Sequence, residues 1–378
     1  MTRETNSGVR IEYLDGMRGV AILLVVLFHA FARWPLLVPY GTTFSDFFLA
    51  KYGWLGVELF FMISGFVIYM TLEKCRTFSD FIQRRWLRLF PAMVLVSAIV
   101  YFSSGLLQER PAGPPILSDI FPGLLFIEPS WIGKLFNIKQ GVLEGAFWSL
   151  FVEVKFYFLF GGLYFLFKSR VAKAGLLLAF IGSIIAWVAA RYLGQTFAVV
   201  RYFDLVINGY LSFSYAGWFL VGVLTFDLYR HSSRRRLILT LFLGVVATAY
   251  TSLGHIRHDF TVLFGLALVS LYVGSIYSNK VRWVLSTRFL LFIGFISYPF
   301  YLFHENFMIA IIIKIGKVYP QIPGVLLPLF PFLIVCFVAF VISKYLERPM
   351  RYWIKASIDF IKSYVLKKVS GTRSNSIR

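Results

Sequence analysis

An arginine and a histidine set eleven residues apart, Arg18 and His29, are the first pair in this chain whose spacing points to chemistry. At about 100° per residue that interval returns almost to the same helical face, and it rises roughly 16 Å. One stripe of a helix would then carry a guanidinium at its start and an imidazole about half a hydrocarbon core further on. A guanidinium grips phosphate oxygens in a fixed fork, and an imidazole takes and returns protons near neutral pH. An anion held at Arg18 could send an extended arm up to His29. Arg85 and Arg88, spaced i, i+3, share a second helical face, with Arg84 beside them and Pro91 suited to a helix's opening turn. Arg18, Arg85 and Arg88 beside two helix N-termini would make a phosphate site at one membrane face. Plainer readings stand next to these. His29 could be a core histidine bonded to a backbone carbonyl, and the arginines could be anchors in a basic loop.

Each further ionisable residue in an apolar segment is costly and is therefore a candidate. Glu153 lies about 10 Å below the outer end of its segment by helical rise. That is level with His29 to within a turn or two, where a carboxylate would orient a general base. Lys155 projects from another side, with Glu58, Asp227 or snorkelling as its options. Glu58 falls in the outer half of the second segment and is followed by Phe60-Phe61-Met62-Ile63-Ser64-Gly65-Phe66. Ser64 and Gly65 permit close helix approach, with packing the plainer role. Ser297, Tyr298, Pro299, Tyr301, His304 and Glu305 occupy one long apolar segment. There Pro299 removes a donor, and His304 is either functional or a structural hydrogen-bonding group. Glu347-Arg348-Pro349 closes the last segment as an end-of-helix ion pair or as part of the anion site.

The elements that must hold these groups are membrane helices. Of 378 residues, 58% are hydrophobic, 19% aromatic and only 15% charged, with a mean hydropathy of +0.74. A water-soluble domain could not bury that much apolar surface. The expected fold is an all-α polytopic bundle of about ten transmembrane helices. The segments are 19–34, 53–72, 89–107, 146–167, 174–193, 209–229, 237–254, 261–277, 289–315 and 325–343. Lys and Arg collect in 1–18, 73–88, 168–173, 230–236, 278–288 and 344–378. The positive-inside rule then puts both termini in the cytoplasm. The same asymmetry accounts for the net charge of +20 without nucleic acid. Cys75 and Cys336 form neither a disulfide framework nor a zinc spacing, and no metal is expected. The N-terminus lacks a signal-peptide pattern, so the first apolar segment reads as a retained helix. The outer stretch 108–145 is either a substrate lid or a connector. Residues 1–349 read as the transmembrane domain. Residues 350–378 read as a basic amphipathic helix on anionic lipid with a disordered end.

Taken in order, these residues resemble the membrane-bound acyltransferase 3 family, which includes bacterial O-acetyltransferases of O-antigen, exopolysaccharide and Nod factor. Tyr13-Leu14-Asp15-Gly16-Met17-Arg18-Gly19 with His29 is similar to its opening signature, and Phe60–Phe66 to its second motif. Arg85, Arg88 and Pro91 match its Arg-x-x-Arg-x-x-Pro. Trp148-Ser149-Leu150 with Glu153 and Phe156-Tyr157 matches the next motif. Ser297-Tyr298, Tyr301-Leu302 and His304 match another, and Glu347 with Pro349 the last. Met17 stands where Leu is usual, and Lys155 where the family often has an acidic or polar residue. The resemblance implies a ten-span core in a bacterial inner membrane and an acyl-CoA co-substrate, acetyl-CoA first among them. It also implies a standalone acyltransferase, since the chain has no room for the hydrolase-like domain fused to some members.

On that basis Arg18, Arg85 and Arg88 are expected to bind the donor's phosphates. His29, oriented by Glu153 or another carboxylate, is expected to take the proton from a hydroxyl of an extracytoplasmic saccharide or glycolipid. Asp15, Glu58, Ser64, Trp148, Tyr301, His304 and Glu347 are expected in binding or supporting roles. A transient acyl-histidine is an open alternative. So is a transporter or flippase that lines its pathway with the same buried polar groups.

Overall fold

Long apolar runs in this chain have no sheet pairing to turn to, so each satisfies its backbone as a helix. The computed structural model describes residues 11–254 and 260–375, with side chains to 363. Among the described residues there is no strand. The principal helices are α1 (Glu12–Phe28), α2 (Gly56–Leu72), α3 (Phe78–Ser103), α4 (Trp148–Leu193) and α5 (Ala216–Arg230). They continue with α6 (Arg234–Gly254), α7 (Thr261–Tyr277), α8 (Arg288–Val318), α9 (Leu329–Val341) and α10 (Glu347–Asn375).

Among the described residues, seven helices are long and apolar enough to cross a membrane, or nine when each of two bent pairs is taken as one span. The expected segments 146–167 and 174–193 are one helical run, α4, broken at Lys168 by a left-handed φ of 68°. The expected segment 209–229 is a bent pair, Ala198–Tyr210 and Phe213–Arg230, at 62°. Helix α7 meets the short helix Asn279–Leu285 at 109°. Helix α9 runs through a π turn, Ile342–Leu346, into α10, so the expected boundary at 349/350 falls inside a helix. The expected arm at residues 1–10 and the side chains beyond residue 363 lie outside the described residues.

Helix α3 begins well before the expected residue 89, because the Thr77 side chain caps it by accepting from the Asp80 N–H at 3.1 Å. Arg85 and Arg88 therefore sit about two and about three turns inside α3, and Arg18 lies beyond the first turn of α1. A helix dipole acts within its first turn, so the expected help from two helix N-termini is not present at these arginines.

The bundle's axis is α1. It packs against α8 on one side and α2 on the other, and α2 packs in turn on α5. Two close approaches make this possible. A Cβ on Gly294 of α8 would overlap the Asp15 carbonyl oxygen of α1, and one on Gly222 of α5 would overlap the Met62 carbonyl of α2. Gly294→Ala is thus expected to destabilise the fold by about 1–3 kcal/mol, the cost of overpacking. Gly274→Ala, where nothing lies within 4 Å, is the matched control. Unfolding midpoints of the two variants in one detergent would check this, and equal midpoints would refute the contact.

Candidate active site

The functional side chains gather around two cavities that share one residue. The first is about 370 Å³ and is lined from α1 by Asp15 and Arg18, from α2 by Ser64, from α3 by Arg88 and from α4 by Glu153. Glu347, Arg348 and Arg351 of α10 close it. Four guanidinium groups thus face three carboxylates across one space. Arg18 donates to Asp15 at 3.0 Å, and Arg351 donates to Glu347 at 3.4 Å. Among the described residues, neither Arg88 nor Arg348 makes a side-chain hydrogen bond or ion pair. Their donors are free for an anion that enters the cavity.

The second cavity, about 580 Å³, is lined by His29, Arg33, Glu58, Trp54, Trp148, Tyr215 and Glu305, among others. His29 opens the π turn that ends α1. Such single π turns widen the helix and recur at functional sites. His29 Nδ1 lies 2.9 Å from the Val25 carbonyl oxygen and 3.2 Å from His304 Nε2. A carbonyl only accepts, so Nδ1 carries the proton and Nε2 keeps the lone pair. The same argument applies to His304, whose Nδ1 lies 2.8 Å from the Tyr301 carbonyl. Its Nε2 lone pair therefore faces His29 Nδ1–H. The two rings meet edge to face at 4.7 Å. On the other side, Glu305 Oε1 lies 3.7 Å from His29 Nε2. An imidazolium formed at His29 would find acceptors at both nitrogens.

Glu305 is itself held in place. The next residue, Asn306, donates from its backbone and its side chain to Glu144 Oε2, each at 2.9 Å. Its side-chain oxygen accepts from the Ala112 N–H at 3.0 Å. Arg110 lies 3.6 Å from the other Glu144 oxygen and donates to the Leu143 carbonyl. The stretch 108–145 is thus pinned to α8 beside the histidines through Asn306, and the buried Arg110–Glu144 ion pair ties the two ends of the stretch to each other.

The structure separates two residues that the sequence reading joined. Glu153 is not at His29. It accepts from Ser64 Oγ and Tyr157 OH, both at 2.7 Å, and faces the arginine cavity. The carboxylate beside His29 is Glu305, one residue past His304 on α8. Arg85 does not line either cavity. It is buried, bonds Thr71 Oγ1, and stacks its guanidinium near the Phe81 and Tyr157 rings. Lys155 pairs with Glu128 and Ser212, whereas Asp227 takes Lys173 at 2.6 Å. Arg18 and His29 line two different cavities, and Tyr301 lines both.

Of the other expected residues, Asp15, Ser64 and Glu347 line the arginine cavity, Glu58 and Trp148 the histidine cavity, and Tyr301 both. His304 is fully buried behind His29. Glu305 and Arg351 were not singled out as site residues, and Arg348 entered only with Glu347 and Pro349 as one of two readings of the last segment's end. Glu305 carried the usual signal of an acid inside an apolar segment, and Arg348 and Arg351 carried the i, i+3 spacing already noted at Arg85 and Arg88. Ser149 entered only as the middle residue of the Trp148-Ser149-Leu150 motif. No group of three or more metal-ligating side chains occurs among the described residues.

The all-helical bundle thus places a buried histidine pair and a flanking carboxylate at one cavity and four arginines at the cavity beside it. The family model described as an acyltransferase domain matches residues 11–348. The chain belongs to that family, the membrane-bound acyltransferase 3 family. It is 31% identical over 153 residues to BcsY of Komagataeibacter xylinus, provisionally described as a membrane-bound transacylase, covering 38% of this chain and 34% of BcsY. It is 27% identical over 198 residues to YrhL of Bacillus subtilis, provisionally described as a peptidoglycan O-acetyltransferase, covering 47% of this chain and 28% of YrhL. It is 27% identical over 157 residues to the O-acetyltransferase OatA of Staphylococcus aureus, covering 39% of this chain and 23% of OatA. The matched region is thus about a third or less of each of these relatives. No solved structure matches the chain.

The buried ion pair gives a direct test of the clamp on Glu305. Glu144→Gln leaves Arg110 buried without its counter-charge. The expected loss is about 3–5 kcal/mol, the usual cost of stranding one partner. A chemical-denaturation series would read it, and an unchanged midpoint would mean that the pair does not hold the loop.

Proposed function

We propose that the protein is an O-acyltransferase that moves an acyl group, acetyl first among the candidates, from acyl-CoA to a hydroxyl of a saccharide or glycolipid across a bacterial inner membrane. The observation that carries the reading is the meeting of two unlike cavities at Tyr301, one holding four arginines and the other His29 with Glu305. In this reading Arg18, Arg88, Arg348 and Arg351 receive the donor's phosphates from the cytoplasmic side. Asp15 holds Arg18 and Glu347 holds Arg351 in register, while Glu153 adds a third negative charge to the cavity. The thioester end of the donor extends toward Tyr301, and the acceptor enters the histidine cavity, where Trp54, Trp148 and Tyr215 offer flat faces and Glu58 and Glu305 offer hydroxyl acceptors.

His29 Nε2 takes the proton as the acceptor oxygen attacks the thioester carbonyl. A C–O bond forms, the C–S bond breaks, and the departing thiolate takes the proton back from the imidazolium. The Val25 carbonyl and His304 Nε2 hold the Nδ1–H throughout, which keeps the basic nitrogen aimed into the cavity. Glu305, rather than Glu153, is the carboxylate that stabilises the imidazolium. Both termini lie in the cytoplasm in this reading, which the distribution of Lys and Arg supports. Counting α4 as two antiparallel spans folded at Lys168 brings the number of spans to ten. As one straight rod its 46 residues would measure about 69 Å, more than twice the core of a bilayer.

The test is acetyl transfer by purified protein in nanodiscs, with labelled acetyl-CoA and candidate glycans. His29→Ala is expected to lower kcat by about 10²–10⁴-fold, the range for loss of a general base. Glu305→Gln is expected to lower kcat with little change in donor KM, and Arg88→Ala with Arg348→Ala to raise donor KM. A folded His29→Ala protein with normal turnover would remove the histidine from the mechanism. Saccharide movement without acyl transfer would replace the enzyme with a transporter.

A further inference from the structure

Tyr301 is where the two cavities part. Its hydroxyl shares a 2.8 Å hydrogen bond with Ser149 Oγ, so α8 and α4 touch through two neutral hydroxyls. Ser149 faces the arginine cavity while Trp148, one residue earlier, lines the histidine cavity. The Phe60 ring of α2 stands edge-on to Tyr301 at 5.8 Å, and the His304 ring backs it at 5.2 Å. Tyr301 is 7% exposed, and three helices converge on it. Nothing in the proton-transfer scheme requires a phenol here.

We propose that Tyr301 and Ser149 form a neck between the cavities, and that this neck selects which acyl group crosses. The selection rests on the donor reading given above, whereas the barrier itself does not. A bond between two neutral hydroxyls is weak in net terms, so the latch opens readily when something displaces the ring. A short acyl group needs the ring aside for one group's length. A longer chain must hold it aside against Phe60 along its whole length. When closed, the neck keeps water in the histidine cavity from the thioester. Without it, water adds to the thioester carbonyl, the C–S bond breaks, and the products are a carboxylic acid and the free thiol.

The substrate-level test is release of CoA thiol from acetyl-CoA and butyryl-CoA with no acceptor present. Ser149→Ala and Tyr301→Phe, which remove the latch and keep the rings, are expected to raise thiol release from acetyl-CoA about fivefold, the worth of one neutral hydrogen bond. Tyr301→Ala is expected to raise the butyryl-to-acetyl ratio about tenfold, in line with what a methylene or two is worth in an apolar slot. The second test needs no donor. In a chain with Cys75→Ser and Cys336→Ser, Ala32→Cys places a thiol in the histidine cavity. A membrane-impermeant thiol reagent is applied from the side on which the arginine cavity opens. The thiol should be protected with Tyr301 present and labelled with Tyr301→Ala. Equal labelling in both overturns the neck, and so do unchanged release and ratio in variants that still bind acetyl-CoA. Labelling that depends on Tyr301 in a protein that consumes no thioester keeps the barrier and overturns the selection along with the donor reading.

Discussion

The structure depends on how closely α1 approaches α8. At Gly294 the two backbones come so near that a single methyl group would strike the Asp15 carbonyl. That approach fixes the register of the two helices. It brings Arg18 alongside the start of α8, and about three turns further on it brings His29 against His304 and Glu305. In a bilayer no hydrophobic drive holds helices together, so close packing of this kind has to supply the specificity. The chemistry therefore rests on a contact with no functional group in it.

Partnering of charge explains most of the remaining arrangement. An ionised side chain in a low-dielectric interior is tolerated only with a partner or with access to water. Lys155 finds Glu128, Lys173 finds Asp227, Arg230 finds Glu73 at 2.6 Å, and Arg110 finds Glu144. Against that background Arg88 and Arg348 differ, since they face a cavity with no carboxylate bound to them. Glu58 differs too. It is 2% exposed, one of its oxygens lacks a hydrogen bond, and it faces the histidine cavity. Groups left unsatisfied by the protein, yet turned toward space, are those a ligand would complete.

Much of this could be read in the residues alone, and the failures have a common cause. Helical rise gives depth, and it put Arg18 and His29 at levels where each lines a cavity, with His304 buried behind His29. It does not give azimuth between helices. Glu153 is at a plausible depth for His29, but it points to the arginine side of α4, where Ser64 and Tyr157 hold it. Arg85 and Arg88 share a helical face only approximately, and one more step of rotation buries Arg85 on aromatic rings while Arg88 reaches the cavity. Helix α3 begins at Thr77 because a hydroxyl cap overrides the hydropathy boundary near residue 89. Long-range partners such as Glu144 with Asn306, 162 residues apart, leave no local signal.

The backbone also decides which nitrogen of His29 carries the proton. Within a regular helix the Val25 carbonyl would be taken by the amide four residues on, and it does accept from the His29 N–H. The π turn that starts at His29 loosens the helix there, and the imidazole takes a share of the same carbonyl. Because a carbonyl cannot donate, the proton must sit on Nδ1, and the basic lone pair must point away from α1 into the cavity. His304 repeats the device on α8 with the Tyr301 carbonyl, and Tyr301's own side chain forms the wall between the cavities. One short stretch, residues 301–305, thus carries the wall, the second imidazole and the carboxylate.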